Sequence, residues 1–390
     1  MKYPRIHLVL DNCFAIKRWV RPQEWMELAK ELGFRCVQAS TDNEIDPLFS
    51  TPEYMDDWFE QVKRSSEKTG VKLVSFYTGY QTYRTAGLAH PDRRIVEHLK
   101  KNWIYNLVKR IGDFGADGGL GFSYFAIPDK VMQDPELHKK RMDMLYEDLY
   151  EIADFAYKQN GVKVSVEQMY VPYQPPFTIK DSKDYLKRVY SHGKKPLYLT
   201  LDTGHMVGQD KFLKPSEKEI RESFSLSEPD VWLGGDRVYD IWEEHKKRGS
   251  IEVGTREILA EMEKFSYMFA EKEDTDPYLW IEQLAKYSPI FHMQQTDGTK
   301  SAHAPFTPEQ NKNGIIKGEK FLHAILKSYK DSEELQPPVE DIYLSFEIFS
   351  SNMDKKRDII RYLKQTLDYW REFVPEDGMT LDQIVKNLPS

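Results

Sequence analysis

Four residues of types that bind metal ions each follow a short apolar run of the chain. They are Glu167 in VSVEQMY, Asp202 in LTLDTGHM, His292 in PIFHMQQTD and Glu347 in YLSFEIF. Three carboxylates that converge in a protein interior repel one another, and burying them unpaired costs free energy. A divalent cation removes both problems, because carboxylates and imidazole neutralise it and supply its ligands. Any one of the four alone is more typical of a polar residue satisfied by backbone groups or an arginine, whereas all four together favour a site for one divalent metal ion, Mn, Co, Mg or Zn.

These residues come together only if the runs before them are strands of one sheet. Short β-rich runs recur along the chain, each followed by a longer stretch with helical periodicity. The candidate strands are IHLVL from Ile6, CVQAS from Cys36, KLVSFY from Lys72, VKVSVE from Val162, LYLTLD from Leu197, PIFHM from Pro289, YLSFE from Tyr343 and, more weakly, GGLGF near Gly118. Strands that alternate with helices in this way predict an α/β fold, the (β/α)8 TIM barrel, whose functional residues gather at the carboxyl ends of the strands. A doubly wound open sheet is the alternative, and the lack of a GxGxxG or P-loop pattern after any strand argues against it.

The regular spacing of strands breaks between Asp202 and Pro289. We expect a single TIM-barrel domain over residues 1–390, with a mostly helical insertion over residues 208–280 between strands 6 and 7. The insertion is dense in charged and aromatic residues, as in DRVYDIWEEHKKRG. Such a segment is typical of a solvated helical surface. The more specific interpretation is a lid or a dimer contact over the catalytic face.

The overall composition disfavours some partners and locations. Lys and Arg number 55 against 63 Asp and Glu, a formal net charge of -8, so the surface as a whole would repel a nucleic acid. The N-terminus lacks the pattern of a signal peptide, and no stretch approaches the roughly 20 apolar residues that span a bilayer. We therefore expect a cytoplasmic protein that binds neither nucleic acid nor membrane. Cys13 and Cys36 lie in apolar runs predicted as strands, and we expect both thiols to be reduced and buried.

In the order and spacing of these elements the chain resembles the xylose-isomerase-like TIM barrels, especially sugar epimerases of the D-tagatose 3-epimerase type. The resemblance is sharpest in LDTGHM. It implies that Asp202 binds the metal and that His205, three residues later, binds the substrate. By chain order, Glu167, His292 and Glu347 match the family's other metal ligands.

The resemblance implies a metal-dependent isomerase or epimerase of a small sugar, keto-sugar or sugar phosphate. Loss of a proton next to a carbonyl gives an enediolate, and a metal that contacts both oxygens stabilises the developing charge. Glu167 and Glu347 would then act as acid and base on opposite faces of the substrate while also binding the metal. Barrels of this family are often dimers or tetramers, so we expect a homo-oligomer whose partner is a small-molecule carbohydrate.

Two departures from the family's pattern leave the substrate and the reaction open. The family usually has a second Glu six residues after the first, and that position is Tyr173 here. The family's Arg after the metal-binding His is also absent, and the run MQQTDGTKSAHAPF takes its place. We predict that this subgroup uses its own residues to contact the substrate: Tyr173, Gln294, Lys300 and His303, together with Gln295 and Asp297.

Some of these contacts have simpler interpretations. A lone histidine such as His303, in a loop without helical or strand periodicity, is about as often a structural residue, and exposed lysines such as Lys300 are common. Two other segments, Asp11–Phe14 and Tyr77–Tyr83, follow the first and third strands at the same edge of the barrel. Their aromatic residues are predicted to shape the pocket, although they could merely cover the barrel.

Three other functions remain as alternatives. A lyase, either a decarboxylase or a dehydratase of a keto-sugar acid, would use the same stabilised enediolate. A metal phosphodiesterase similar to endonuclease IV would need more histidine ligands and a basic surface that faces DNA, and the chain has 10 His with a net charge of -8. A sugar-binding protein without activity would have no need for converging carboxylates.

Overall fold

The strands of the chain pair with one another in sequence order. A computed structural model describes residues 2–79 and 85–388. Its strands are β1 (Arg5–Asp11), β2 (Cys36–Ser40), β3 (Lys72–Thr78), β4 (Gly119–Phe122), β5 (Val164–Glu167), β6 (Tyr198–Asp202), β7 (Ile290–Met293), β8 (Asp341–Phe346) and β9 (Met379–Thr380). Strands β1 to β8 are parallel, and β1 pairs with both β2 and β8, which closes the sheet, while β9 adds a short antiparallel pairing to β1. The predicted TIM barrel is therefore confirmed, and the open doubly wound sheet is excluded.

Helices connect the strands and pack against one another around the barrel. The helices before β6 are α1 (Pro22–Leu32), α2 (Thr41–Glu44), α3 (Pro52–Thr69), α4 (Arg93–Leu99), α5 (Tyr105–Phe114), α6 (Asp129–Met132), α7 (Pro135–Lys158) and α8 (Ile179–Gly193). Those after β6 are α9 (Glu217–Ser223), α10 (Asp236–Arg248), α11 (Ile251–Met262), α12 (Pro277–Leu284), α13 (Pro308–Asn313), α14 (Gly318–Lys330), α15 (Lys356–Arg371) and α16 (Leu381–Lys386). Among the described residues, none of the helices combines the length and the hydropathy that a membrane span requires.

Helix α1 shows how local sequence sets these elements. Its buried residues Trp25, Leu28, Ala29 and Leu32 recur at the spacing of one helical face. The helix begins with Pro22 in its first turn, where a missing N–H costs nothing, and ends at Gly33. Gly33 has a φ of 99°, a left-handed conformation that glycine adopts without steric cost. The amphipathic pattern and its end signals therefore place the helix against the barrel.

The strand registers bring the chemically important residues to one edge. Asp202 of β6 lies directly opposite His292 of β7, and Glu167 of β5 lies opposite Thr200 of β6. Glu347 follows the last residue of β8. Parallel strands share the direction of their carboxyl ends, so these side chains can converge where a TIM barrel builds its active site.

The segment between β6 and β7 contains α9 to α12 and short 3-10 helices. It packs against the connection that follows β4. There the Tyr267 hydroxyl donates to the backbone oxygen of Met132 at 2.7 Å, and the ring of Tyr267 stacks on His138 with 3.6 Å between ring centres. The position of residues 208–280 over the catalytic face stays a prediction.

Cys13 does not lie on a strand, in contrast to the expectation from its apolar neighbours. The chain leaves β1 at Asp11, whose side chain accepts a hydrogen bond from the backbone N–H of Cys13 at 2.7 Å and so starts a 3-10 helix, Asn12–Ala15. Cys36 lies on β2, as expected. Both thiols are buried and free.

Lys100 is a buried cation in the outer layer of the barrel. Its side chain is only 1% exposed and its Nζ lies 2.8 Å from Asp148 Oδ1, which is also buried. Lys100→Met is expected to lower the free energy of unfolding by about 1.5–3 kcal/mol, the range for a hydrogen bond to a charged group, because Asp148 loses one of its two cations but keeps the contacts with Arg93 at 2.7 and 2.9 Å. Urea unfolding would measure the change. The exposed neighbour provides the control, because Lys101→Met should shift stability by less than about 0.5 kcal/mol. Equal effects of the two substitutions would contradict a specific role for the buried pair.

Candidate active site

The four predicted metal ligands meet at the carboxyl end of the barrel, and all four are buried. His292 Nδ1 is 3.1 Å from Glu167 Oε1 and 3.5 Å from Glu347 Oε2. Ligand atoms of Glu167, Asp202 and His292 lie within 4.8 Å of one another. In a second group, ligand atoms of Asp202, His303 and Glu347 also lie within 4.8 Å of one another. The structure thus brings the four residues into one cluster, together with His303.

Asp202 has one satisfied and one unsatisfied carboxylate oxygen. Its Oδ1 accepts from the backbone N–H of Gly204 at 2.6 Å and from Gln294 Nε2 at 2.8 Å. Its Oδ2 is buried and has no hydrogen-bond partner in the described part of the chain; His205 Nε2, at 3.8 Å, is too far to donate one. Leaving such an atom unsatisfied costs about 1–3 kcal/mol or more. A divalent cation would satisfy Oδ2, so the residues present fit the predicted metal.

Opposite charges balance one another within the cluster. Burial alone would lower the pKa of His292, but the carboxylates around it, Glu347 first, raise that pKa to about 10. Burial raises the pKa of Glu347, and the charges of His292 and His303 oppose this shift. Burial also acts to raise the pKa of Asp202, yet the neighbouring histidines hold it below its ordinary value. Protons on histidine therefore compensate the carboxylates when no metal does so.

Metal binding is expected to release a proton from His292. With a pKa of about 10, the imidazole is protonated at neutral pH without metal, and a metal ligand must be deprotonated. If binding displaces one proton, the association constant for the metal should therefore fall about tenfold for each pH unit by which the pH is lowered in the neutral range. Calorimetric titration with Mn²⁺ at several pH values, in buffers of different ionisation enthalpy, measures both affinity and proton release. An affinity that does not change with pH would contradict this assignment of His292.

Gln294 connects the cluster to the loop after β7. Its Nε2 donates to Asp202, while its Oε1 accepts from the backbone N–H groups of His303 at 2.5 Å and Ala302 at 3.0 Å. This holds His303 in a left-handed conformation, with a φ of 46°, and with its Nδ1 at 3.1 Å from Glu347 Oε2. Gln294 has the contacts of a positioning residue, and its predicted contact with substrate stays a prediction.

Gly204 has no side chain, and the side chain of Gln294 occupies the space that one would fill. A Cβ at this position would lie 2.2 Å from Gln294 Cδ, so Gly204→Ala is expected to displace Gln294 from Asp202. Such overpacking costs about 1–3 kcal/mol of unfolding free energy, and metal binding should weaken as well. Urea unfolding and metal titration would measure the two effects. Gly193→Ala is the matched control, since its Cβ would meet nothing closer than 3.9 Å. Unchanged metal affinity in Gly204→Ala would contradict the positioning role of Gln294.

A cavity of about 400 Å³ opens onto the cluster, and Glu167, His205, His303 and Glu347 are among its walls. This volume is typical of a site for a small molecule. His205 Nδ1 donates to the backbone oxygen of Gln168 at 3.0 Å, which leaves its Nε2 as the acceptor when the ring is neutral. The predicted substrate residues His205 and His303 therefore both border the space next to the predicted metal.

Two other predicted substrate residues lie elsewhere. The hydroxyl of Tyr173 donates to Asp129 Oδ1 at 2.8 Å, and burial together with this contact raises the pKa of Tyr173 to about 12. Tyr173 does not line the cavity, so we leave it out of the proposed site. Lys300 lines an adjoining cavity of about 580 Å³, as do Gln295 and Asp297.

Gln38 is a residue of the site that the sequence analysis missed. Its Nε2 donates to Asp11 Oδ2 at 2.5 Å and lies 2.9 Å from His292 Nε2, and its Oε1 accepts from Ser75 Oγ at 2.8 Å. Gln38 therefore contacts the His292 ring from the side away from Glu167. The available signal was a polar residue inside the apolar run CVQAS.

Tyr77 is the described member of the predicted aromatic segment that reaches the site. Its hydroxyl donates to Glu167 Oε2, and its ring packs edge-on against His292 with 4.5 Å between ring centres. Tyr77 also lines the cavity. Tyr80 and Tyr83 lie outside the described residues.

Comparisons with known proteins agree with this architecture. A family model described as a xylose isomerase-like TIM barrel matches residues 26–253. A D-erythrulose 1-phosphate 3-epimerase of Brucella abortus is 23% identical over 367 residues, which cover 93% of this chain and 94% of that protein.

Two solved structures share the fold over almost their whole length. A Rhodospirillum rubrum protein described as a candidate xylose isomerase has a TM-score of 0.66 at 16% identity, covering 94% of this chain and 99% of that one. A D-psicose 3-epimerase with D-tagatose from Clostridium cellulolyticum has a TM-score of 0.54 at 15% identity, covering 94% and 98%. The expected class of enzyme, a sugar isomerase or epimerase, agrees with these comparisons.

Proposed function

The chain belongs to the xylose isomerase-like TIM-barrel family, and from this premise we propose that it is a divalent-metal-dependent isomerase or epimerase of a small sugar, keto-sugar or sugar phosphate. The observation that carries the proposal is the unpartnered buried Oδ2 of Asp202 beside two carboxylates and an imidazole. The metal would be held by Glu167, Asp202, His292 and Glu347. The name of the Brucella abortus relative, D-erythrulose 1-phosphate 3-epimerase, adds ketose phosphates to the substrates to be tested.

The residues of the cavity can perform a proton transfer beside the metal site. When bound, a divalent ion would polarise the substrate's carbonyl and hydroxyl oxygens and stabilise negative charge there. Glu347 borders the cavity and is buried, so it can take a proton from a carbon next to the carbonyl. Glu167 lines the same cavity, and Tyr77 holds its Oε2 by donating to it. His205 can orient a substrate hydroxyl through Nε2.

Metal analysis combined with proton exchange tests this function. The protein would be purified, analysed for metal, and incubated with ketoses and ketose phosphates in deuterated water. We expect one divalent metal ion per chain and deuterium at the carbon next to the carbonyl. Loss of carbon dioxide or water from keto-sugar acids, without exchange on any ketose, would replace the isomerase with the lyase. A protein that binds no divalent metal after supplementation would overturn the ligand assignment.

The oligomeric state and the cellular location are further proposals. We propose a homo-oligomer, which light scattering would test, and a cytoplasmic location, which fractionation would test. Manganese as the native metal is tested by analysis of protein purified without added metal.

A further inference from the structure

A second cavity lies beside the catalytic one. We call it the side cavity; it has a volume of about 580 Å³ and is lined by residues of the segments 295–313 and 348–362. His303, Phe349 and Ser350 line both cavities. The two spaces therefore adjoin at these three residues, and a ligand that occupied both would pass over His303 and Phe349.

The side cavity is poor in positive charge. Lys300 is the lining lysine, while Asp297, Glu309 and Asp354 are lining carboxylates. His303 is a second lining group that can carry positive charge, but its Nδ1 is already engaged by Glu347 Oε2 at 3.1 Å. Phosphate sites in proteins use several cationic or N–H donors around the dianion, and here a dianion would meet more negative than positive charge. This balance disfavours a phosphate group as the occupant.

The same wall is suited to a neutral, hydroxyl-rich group. Gln310, Asn313 and Tyr362 line the side cavity and offer both donors and acceptors of hydrogen bonds. Phe349 is 55% exposed, and its ring stacks on His303 with 3.9 Å between ring centres. Its exposed surface can pack against the C–H groups of a sugar ring, which combine an apolar face with polar edges.

We propose that the side cavity binds a neutral sugar residue attached to the far end of the reacting ketose. The substrate class is then a glycosylated ketose and not a ketose phosphate. This inference rests on the proposed function for the identity of the reacting end, but it concerns a different set of residues. A cavity of about this size accommodates such a group within the usual range for small-molecule sites.

Three ligands that differ at one oxygen test the proposal. Fructose, isomaltulose and fructose 6-phosphate carry at O6 a hydrogen, a neutral glucosyl group and a phosphate. Their dissociation constants would be measured by calorimetry with the Mn²⁺-supplemented full-length protein. We expect isomaltulose to bind about tenfold more tightly than fructose, which corresponds to a few added contacts, and fructose 6-phosphate to bind no more tightly than fructose. Asn313→Trp should fill the side cavity and bring the ratio of the fructose and isomaltulose constants close to one.

Matched variants separate the outcomes. Asn387→Trp, at an exposed asparagine that lines neither cavity, should keep the wild-type ratio. Isomaltulose that binds no more tightly than fructose would overturn the proposal. So would a preference for fructose 6-phosphate that Lys300→Met abolishes, because the side cavity would then be a phosphate site. Tighter binding of isomaltulose without deuterium exchange on any ketose would instead overturn the proposed function and leave the side-cavity assignment intact.

Discussion

Glu347→Gln is expected to lower the rate of deuterium exchange into a ketose substrate by about 10²–10⁴-fold, the range that general acid–base catalysis contributes. Glutamine keeps the size of the side chain but can neither accept the substrate proton nor supply a negative charge to a metal. The Glu347 carboxylate is buried and lies within 3.5 Å of both His292 and His303, so water cannot readily take its place. Exchange rates by NMR, with metal content measured on the same samples, would show the loss.

The other end of the same strand offers the control for this substitution. Glu340 directly precedes β8 and makes an exposed ion pair with Lys2, and exposed pairs contribute little to stability. Glu340→Gln should therefore leave the exchange rate and metal content unchanged. If Glu347→Gln bound metal and still exchanged deuterium at the wild-type rate, Glu347 would be neither the base nor an essential ligand.

The grouping of Glu167, Asp202, His292 and Glu347 could be predicted from sequence because its members lie at strand ends. A run of apolar residues followed by a carboxylate or imidazole marks both a strand and the edge at which it stops. Once strands such as VSVEQMY and LTLDTGHM are parallel neighbours in a barrel, Glu167 and Asp202 must face the same end. The strand registers then fix the remaining geometry, as the pairing of Asp202 with His292 shows.

Contacts that depend on loop paths or on barrel closure could not be predicted in this way. Tyr173 was predicted to contact the substrate from its position in the chain, but its hydroxyl donates to Asp129, and no local sequence pattern indicates that loop path. Gln38 lies on β2, far from His292 in sequence, and meets it only because the closed barrel brings their side chains together in its interior. Cys13 does not continue the predicted strand, because its backbone N–H donates to the Asp11 side chain and the chain turns there.

Asp202→Asn is expected to abolish most of the stabilisation that metal gives to the fold. At a metal concentration of about 100 times the wild-type Kd, binding raises the free energy of unfolding by about 2.7 kcal/mol. Loss of a residue that only hydrogen-bonds to a metal ligand weakens metal binding by about 10–100-fold. Loss of a charged ligand itself should weaken metal binding by at least about 100-fold. In the variant, the increase in the free energy of unfolding that metal produces should then fall to about 0.4 kcal/mol or less. Urea unfolding with and without Mn²⁺ measures the gain directly.

This result would isolate the role of the unpartnered oxygen, because the substitution leaves most of the local structure in place. The amide oxygen that the substitution introduces can still accept from the backbone N–H of Gly204, as Asp202 Oδ1 does at 2.6 Å, so the turn after β6 is retained. Asp210→Asn, at an exposed carboxylate further along the same connection, should keep the full metal-induced gain. A gain that survives in Asp202→Asn would show that Oδ2 faces no metal, and the chemistry assigned to the cluster would then have to proceed from its histidines and the two glutamates alone.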